Sequence, residues 1–399
     1  MASEAEVRES LSSLHIIDTD AHITEPLDLW SSRAPAAWRD RLPRVEDVDG
    51  RRKWVVGEDV VLGPVMAASV IGRDAAKARG TEFFAWTHED VHEASYDMKE
   101  RVKLLDQHRI HAQIIYPNLA GFGNQNFMKV KDDDLRRQCA IVYNDAMAEI
   151  QQDSGGRILP MALMPWWNID HCVKEVERSS ELGLRGIVMC SDPDSIGMPD
   201  LGDDAWAPFW EICNDRGVPV NFHIGASETT FNMFGRAAWP TMGLRRKLAL
   251  GSMNLFMENA RVLGNLIYSG IFERFPRVKA VSVESGVGWI PFILEALDYE
   301  WCETGSQAEQ NLSMKPSDYF RRQVYGCFWF ERTGPKDLIE QIGEDNLLFE
   351  TDFPHPTCLY PDVQDHLVDV TAEWSESTRR KILQDNAAAL YNIDLPSSQ

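Results

Sequence analysis

HIIDTDAHI (residues 15–23) is an apolar, β-branched run that ends in Asp20 and His22. Side chains of a strand alternate between its faces, so Asp18, Asp20 and His22 share one face, and Asp20 and His22 can grip one ion. Seven runs of the same kind follow: AQIIYPN (112–118), ILPMALMPW (158–166), GIVMC (186–190), VPVNFHIG (218–225), VKAVSVESG (278–286), QVYGCFWF (323–330) and LLFETDFPH (347–355). Eight near-continuous apolar runs fit parallel strands buried on both faces. Amphipathic segments at 98–108, 133–153, 171–182, 205–215, 253–264, 288–300 and 336–342 lie between them, and 376–392 reads as a closing helix. Strands alternating with helices make βα units and a parallel sheet. Eight such units predict an α/β fold, a (β/α)8 TIM barrel, as one domain over residues 1–399.

Two connections far exceed the usual βα loop of about 2–6 residues. Residues 31–95 separate the first strand from its helix and contain VEDVDGRRKWVV and TEFFAWTHED, which predicts a cap over the barrel mouth. Residues 226–252 follow the fifth strand and carry Arg236, Arg245, Arg246 and Lys247. Such charge runs are usually solvated faces, and the alternative is an anchor for a substrate carboxylate or phosphate. Trp30, Trp86, Trp166, Trp167 and Trp289 read as core rather than as pocket lining.

The 399 residues are 44% hydrophobic, with 13 Trp and 17 Phe, enough to fill a large core. A formal net charge of −22 argues against nucleic acid and anionic membranes as partners. Seven cysteines without a CxxC pair read as reduced thiols of a cytosolic enzyme. The opening MASEAEVRESLSSL lacks the apolar run of a signal peptide, and no run approaches the roughly 18 apolar residues of a membrane span. The expectation is a cytoplasmic protein with a small-molecule substrate.

C-terminal strand ends of a barrel converge on one mouth. Metal-type side chains stand at four of the eight ends: Asp20 and His22, His223 in NFHIG, Glu284 in VSVESG, and Asp352 with His355 in FETDFPHP. Glu25 follows in the HITEP turn. Any one of these alone is as readily a hydrogen-bonded structural group. Together they would repel, and a divalent cation resolves that repulsion. Glu25 reads equally as a helix cap or as a carboxylate steadying His22, and His355 as a donor to a neighbouring acid.

The stretches IDTDAHITEPLDLW, LGLRGIVM, NFHIG, FERFPRVKAVSVESGVGWIPF and LLFETDFPHP resemble the amidohydrolase superfamily. The finer resemblance is to its aminocarboxymuconate-semialdehyde decarboxylase-like, amidohydrolase-related branch, over about residues 15–392. The resemblance implies a metal-dependent enzyme. Two positions depart from the branch. Its common first motif HxH is here Asp20-x-His22, and Glu284 stands where the decarboxylases usually carry a catalytic His. Seven candidate ligands (Asp20, His22, Glu25, His223, Glu284, Asp352, His355) exceed the roughly four of a single zinc site. Mixed His and carboxylate donors suit iron or manganese, and carboxylates can bridge two ions. Some members of the branch that resemble this sequence, with Glu after strand six, are dinuclear-metal oxygenases.

The expected function is therefore a dinuclear Fe or Fe/Mn monooxygenase that uses O2 to hydroxylate an organic acid or its derivative, with Glu284 and Asp352 catalytic. The alternative is a mononuclear Zn- or Mn-dependent hydrolase or decarboxylase with Asp352 as general base. A third reading is a non-catalytic barrel subunit supporting an active paralogue. A homo-oligomer, or pairing with a related subunit, is expected.

Overall fold

Every residue of the first strand is buried, so its amides and carbonyls need ladder partners on both edges. The computed structural model, which describes residues 3–396 except 228, 230–238 and 310, supplies them. In chain order its strands are β1 (Ile16–His22), β2 (Arg44–Val48), β3 (Arg51–Val56), β4 (Val60–Pro64), β5 (Ile110–Tyr116), β6 (Ile158–Pro160), β7 (Ala162–Leu163), β8 (Ile187–Val188), β9 (Val220–His223), β10 (Ala280–Val283), β11 (Val324–Phe328) and β12 (Leu347–Phe349).

β1 pairs in parallel with β5, with Ile16 opposite Ile110 and His22 opposite Tyr116. Its other edge meets the chain just after β12. There His22 N donates to Phe353 O at 2.7 Å and Asp352 N to Asp20 O at 2.8 Å. β5 continues to β6, and the remaining strands run in the order β7-β8-β9-β10-β11-β12, all parallel. β6 and β7 are one barrel strand interrupted at Met161, whose N–H donates to Ile115 O while that of Ala162 donates to Gly186 O, both at 3.0 Å. The ring thus closes with eight strand positions, each matching one apolar run. The fold is the α/β TIM barrel.

Helices pack between strands where the periodicity places them, including Met98–Gln107, Asp133–Asp153, Ile169–Glu181, Ala207–Arg216 and Ile290–Glu303. The expected helix 253–264 is in fact two, Leu244–Phe256 and Glu258–Tyr268. The sequence reading did not place Glu4–Ser12, Pro316–Gln323 or Val363–Val370.

Within 31–95, β2, β3 and β4 form a separate antiparallel sheet. The rest of the segment fastens to loops that follow barrel strands. Val70 N donates to Pro354 O at 2.9 Å, the Thr24 hydroxyl donates to Ala67 O, and Lys77 Nζ to Cys358 O.

Of the four cations after β9, Arg236 lies outside the described residues; Arg245 and Arg246 are exposed and Lys247 is half-buried. Trp30, Trp166 and Trp167 are buried, and Trp86 and Trp289 pack partly buried against the core. Among the described residues no helix is long and apolar enough to cross a membrane. The seven cysteines are all free, and only Cys302 is exposed.

Candidate metal centre

β1 delivers Asp20 and His22 to the mouth side by side, as its two-residue repeat requires. β9 ends on His223, one strand away from β10, after which the chain turns at Glu284. Glu284 has φ +54° and Asp352, after β12, φ +58°. The left-handed region is uncommon for non-glycine residues, and here it falls on two of the acidic candidates.

These side chains meet. His22 Nε2 and His223 Nε2 are 3.1 Å apart. His22 Nε2 lies 3.5 Å from Asp20 Oδ1 and 3.6 Å from Asp352 Oδ1. His223 Nε2 lies 3.7 Å from Asp20 Oδ2 and 3.4 Å from Glu284 Oε2. His355 stacks on the His22 ring at 3.6 Å between centroids, with its Nδ1 3.0 Å from Asp352 Oδ1. Asp20, His22, His223 and Glu284 form one group whose ligand atoms all lie within 4.8 Å of one another, and His22, Glu284, Asp352 and His355 form a second.

The donor chemistry fits a cation. His223 Nδ1 donates to Ile224 O at 2.8 Å, which leaves the Nε2 lone pair facing inward. Both Asp20 oxygens are buried with no hydrogen-bond partner among the described residues, a costly state for a carboxylate. Burial, then the charges of Asp352 and Asp18, push Asp20 well above the usual carboxylate range. Burial, Asp352, Asp20 and Glu350 do the same to Glu284. Burial and the adjacent His355 and His223 rings push His22 well below the usual histidine range, so its imidazole is neutral, as a metal ligand must be. A divalent ion among these groups removes the repulsion between the acids and occupies the facing lone pairs.

Glu25 does not join the cluster. Its Oε1 accepts the backbone N–H groups of Asn118 and Leu119, each at 2.8 Å, and burial raises its carboxyl to about 7. Glu25 lies outside both groups of converging ligand atoms, with Oε1 engaged by the backbone after β5. Asp18 also turns away, although it shares the strand face of Asp20. It binds Gln113 and Thr351 instead.

Four neighbours escaped the sequence reading. Asn118 Oδ1 meets His355 Nε2 at 2.8 Å, and the Thr357 hydroxyl donates to Asp352 Oδ2. The Phe122 ring covers His22 and His223 at 4.9 and 4.3 Å between centroids. Glu350 Oε2 accepts the Glu284 N–H at 3.2 Å. Glu350 carried a usable signal, a carboxylate inside an apolar strand end; Asn118 carried a weaker one, its place at the end of the second barrel run. Phe122 and Thr357 sit in loops whose sequences mark nothing.

A closed barrel with a buried His–carboxylate cluster at its C-terminal mouth defines a metal-dependent barrel enzyme. A family model described as amidohydrolase matches residues 17–393, and the chain belongs to that family. Among curated proteins it is similar to the 2-amino-3-carboxymuconate-6-semialdehyde decarboxylase of Dictyostelium discoideum, 24% identical over 257 residues, which is 63% of this chain and 66% of that protein. It is also similar to the gamma-resorcylate decarboxylase of Polaromonas sp. (strain JS666), 26% identical over 313 residues, covering 74% of this chain and 87% of the relative. Among solved structures, 5-carboxyvanillate decarboxylase from Novosphingobium aromaticivorans, complexed with manganese and 4-hydroxy-3-methoxy-5-nitrobenzoic acid, matches with a TM-score of 0.65 at 17% identity, over 96% of this chain and 97% of that one.

These relatives overturn the dinuclear monooxygenase. They are decarboxylases, and none is described as an oxygenase. The surplus of carboxylates had favoured two bridged ions. Part of that surplus is Glu25, which holds backbone amides.

Proposed function

We propose that the chain is a mononuclear, divalent-metal carboxy-lyase acting on a small aromatic or unsaturated carboxylic acid, with manganese as its preferred ion. The observation that carries this reading is the compact group Asp20, His22, His223 and Glu284, with unpartnered Asp20 oxygens, in a chain whose relatives remove CO2 from acids of that class. These four residues would hold the metal. The ion supplies Lewis acidity, orienting and polarising the substrate oxygens.

Decarboxylation replaces a C–CO2⁻ bond with a C–H bond. A proton is added at the carbon bearing the carboxylate, the C–C bond breaks, its electron pair returns to the ring, and CO2 leaves. The chain's own residues must hold that proton next to the substrate. Asp352 and His355 would do so; the support is that Asp352 Oδ1 and His355 Nδ1 lie 3.0 Å apart and the Thr357 hydroxyl binds the second Asp352 oxygen. Phe122 supplies an apolar wall against the cluster, suited to the face of an aromatic acid. The inserted segment 65–95, tied to the loops after β1 and β12, would exclude water as a cap.

The test is CO2 release from 2,6-dihydroxybenzoate, 5-carboxyvanillate and related acids by protein loaded with Mn2+. Release from at least one acid, abolished by chelation and restored by Mn2+, is expected. Full Mn2+ occupancy with no release from any acid in the panel would reject the reading.

A further inference from the structure

We propose that Glu331 is a positioning residue that clamps the turn carrying Glu284 and so aims the Glu284 carboxylate at the metal. The inference deepens the carboxy-lyase reading and rests on its assignment of Glu284 as one of the four residues that would hold the ion. The turn after β10 runs Glu284-Ser285-Gly286-Val287-Gly288 and leads into the helix Ile290–Glu303. Its backbone has φ +54° at Glu284 and φ +70° at Gly286. The left-handed conformation persists at a non-glycine residue only where the surroundings impose it. On the upstream side the Glu284 N–H is held by Glu350 Oε2. On the downstream side the hold comes from a second carboxylate, Glu331, in the loop after β11. Val287 N donates to Glu331 Oε1 at 2.9 Å and to Oε2 at 3.1 Å, and Gly288 N donates to Oε1 at 2.8 Å.

The space around this carboxylate is cut to fit it. A Cβ on Gly286 would lie 2.9 Å from the Glu331 carboxyl carbon and from both its oxygens. One on Gly288 would lie 3.3 Å from Oε1, and one on Gly334 3.2 Å from the same atom. The two amides stand just ahead of the helix Ile290–Glu303, where the helix dipole favours an anion. Trp289 closes the same turn by donating its indole Nε1 to Ser285 O at 2.8 Å. Glu284 therefore heads a turn that is fastened on both sides, and Glu331 joins that turn to the neighbouring β11 loop.

The experiment compares wild type with Glu331→Gln, Glu331→Asp and Glu331→Ala. Gln keeps an acceptor oxygen at the same reach, Asp draws it back by one methylene, and Ala removes it. The first readout is amide hydrogen exchange at Val287 and Gly288 in the metal-free protein. Exchange should quicken about tenfold or more in Glu331→Ala and Glu331→Asp, and stay within about threefold of wild type in Glu331→Gln. The second is Mn2+ affinity by titration. Loss of an outer partner that fixes a metal donor should weaken it about tenfold in Glu331→Ala and Glu331→Asp, with Glu331→Gln near wild type. The third places Glu331→Ala in a Glu284→Ala background. Glu331 acts through Glu284, so the added change should cost less than about twofold in Mn2+ affinity there. Unchanged Mn2+ affinity in folded Glu331→Ala would overturn the proposal. So would a further loss of about tenfold in the Glu284→Ala background, which marks a general structural role. A Glu331→Gln variant as impaired as Glu331→Ala would do the same. Should Glu331→Ala not fold, Glu331→Asp decides by the same three readouts. Failure of the carboxy-lyase reading is distinguishable, because it would appear as no CO2 release by wild type, while exchange and Mn2+ titration need no substrate.

Discussion

Asp18 and Asp20 stand two residues apart on β1, on the same face and equally buried, yet the protein treats them oppositely. Asp18 is finished by the fold. Oδ1 accepts from Thr351 N at 2.8 Å and Asp20 N at 3.3 Å, and Oδ2 accepts from Gln113 Nε2 at 2.7 Å and from the Thr351 hydroxyl. Gln113 is held in turn by Arg101, which also binds the His22 carbonyl, both at 2.8 Å. Burial still outweighs these bonds and lifts the Asp18 carboxyl to about 7. Among the described residues Asp20 has no hydrogen bond to either oxygen. One buried acid ties β1 to β5 and to the chain after β12, and the next has no hydrogen-bond partner among the described residues.

The largest effect should come from breaking the upper member. Asp20→Asn is expected to weaken Mn2+ binding by about a hundredfold or more, beyond the roughly 10–100-fold that loss of an outer partner costs, and to abolish decarboxylation. The same change should raise the melting temperature of the metal-free protein, because it removes a repelled charge that nothing compensates. Metal titration and calorimetry read both. A variant that keeps its metal, or melts lower when metal-free, would break the comparison.

Asp18→Asn should do the reverse. Its new NH2 group would face the Gln113 amide donor, leaving a buried donor unsatisfied at a cost of about 1–3 kcal/mol, with metal content near normal. Denaturant unfolding of the metal-free proteins measures it.

The smallest effect is expected at Glu25. Glu25→Gln keeps the oxygen that accepts from Asn118 and Leu119, so metal content should not change; a loss of metal would restore Glu25 as a ligand. Its carboxyl is raised by burial to about 7, above the ordinary 4.5. The folded protein therefore holds a proton that the unfolded chain releases between about pH 4.5 and 7, and this contribution to stability is lost as pH rises through that window. The neutral Gln escapes the loss. Its stability relative to wild type should rise from pH 4.5 to 7.5 in the metal-free state, and a flat difference would count against the raised carboxyl.

The barrel was legible because strands buried on both faces are mostly apolar, and each of the eight runs is, with a few buried polar residues such as Asp18, Gln113 and Asn221 among them. The overlooked helices were not legible for the same kind of reason. Glu4–Ser12 buries only Val7 and Leu11, and Pro316–Gln323 is short and mostly polar on its surface. At the site, strand position identified Asp20, His22, His223, Glu284 and Asp352 as neighbours, since strand ends converge. It did not foresee that Glu25 would accept amides 93 and 94 residues away. A carboxylate near a metal motif looks the same in sequence whether it meets an ion or a loop. The parity rule placed Asp18 beside Asp20 but could not show which would find partners, because Gln113 comes from β5 and Thr351 from the chain after β12.

The left-handed backbone at Glu284 and Asp352 bears on how this chain would drift if only its robustness were selected. Glycine at position 284 would relax the backbone and remove a repelled, buried acid in one step, so a screen for heat resistance alone would favour it. The same step would discard one of the four residues proposed to hold the metal. Keeping an acid at 284 is thus a mark of selection for chemistry, and a thermostable descendant that retained Glu284 would have had to find its gains elsewhere in the barrel.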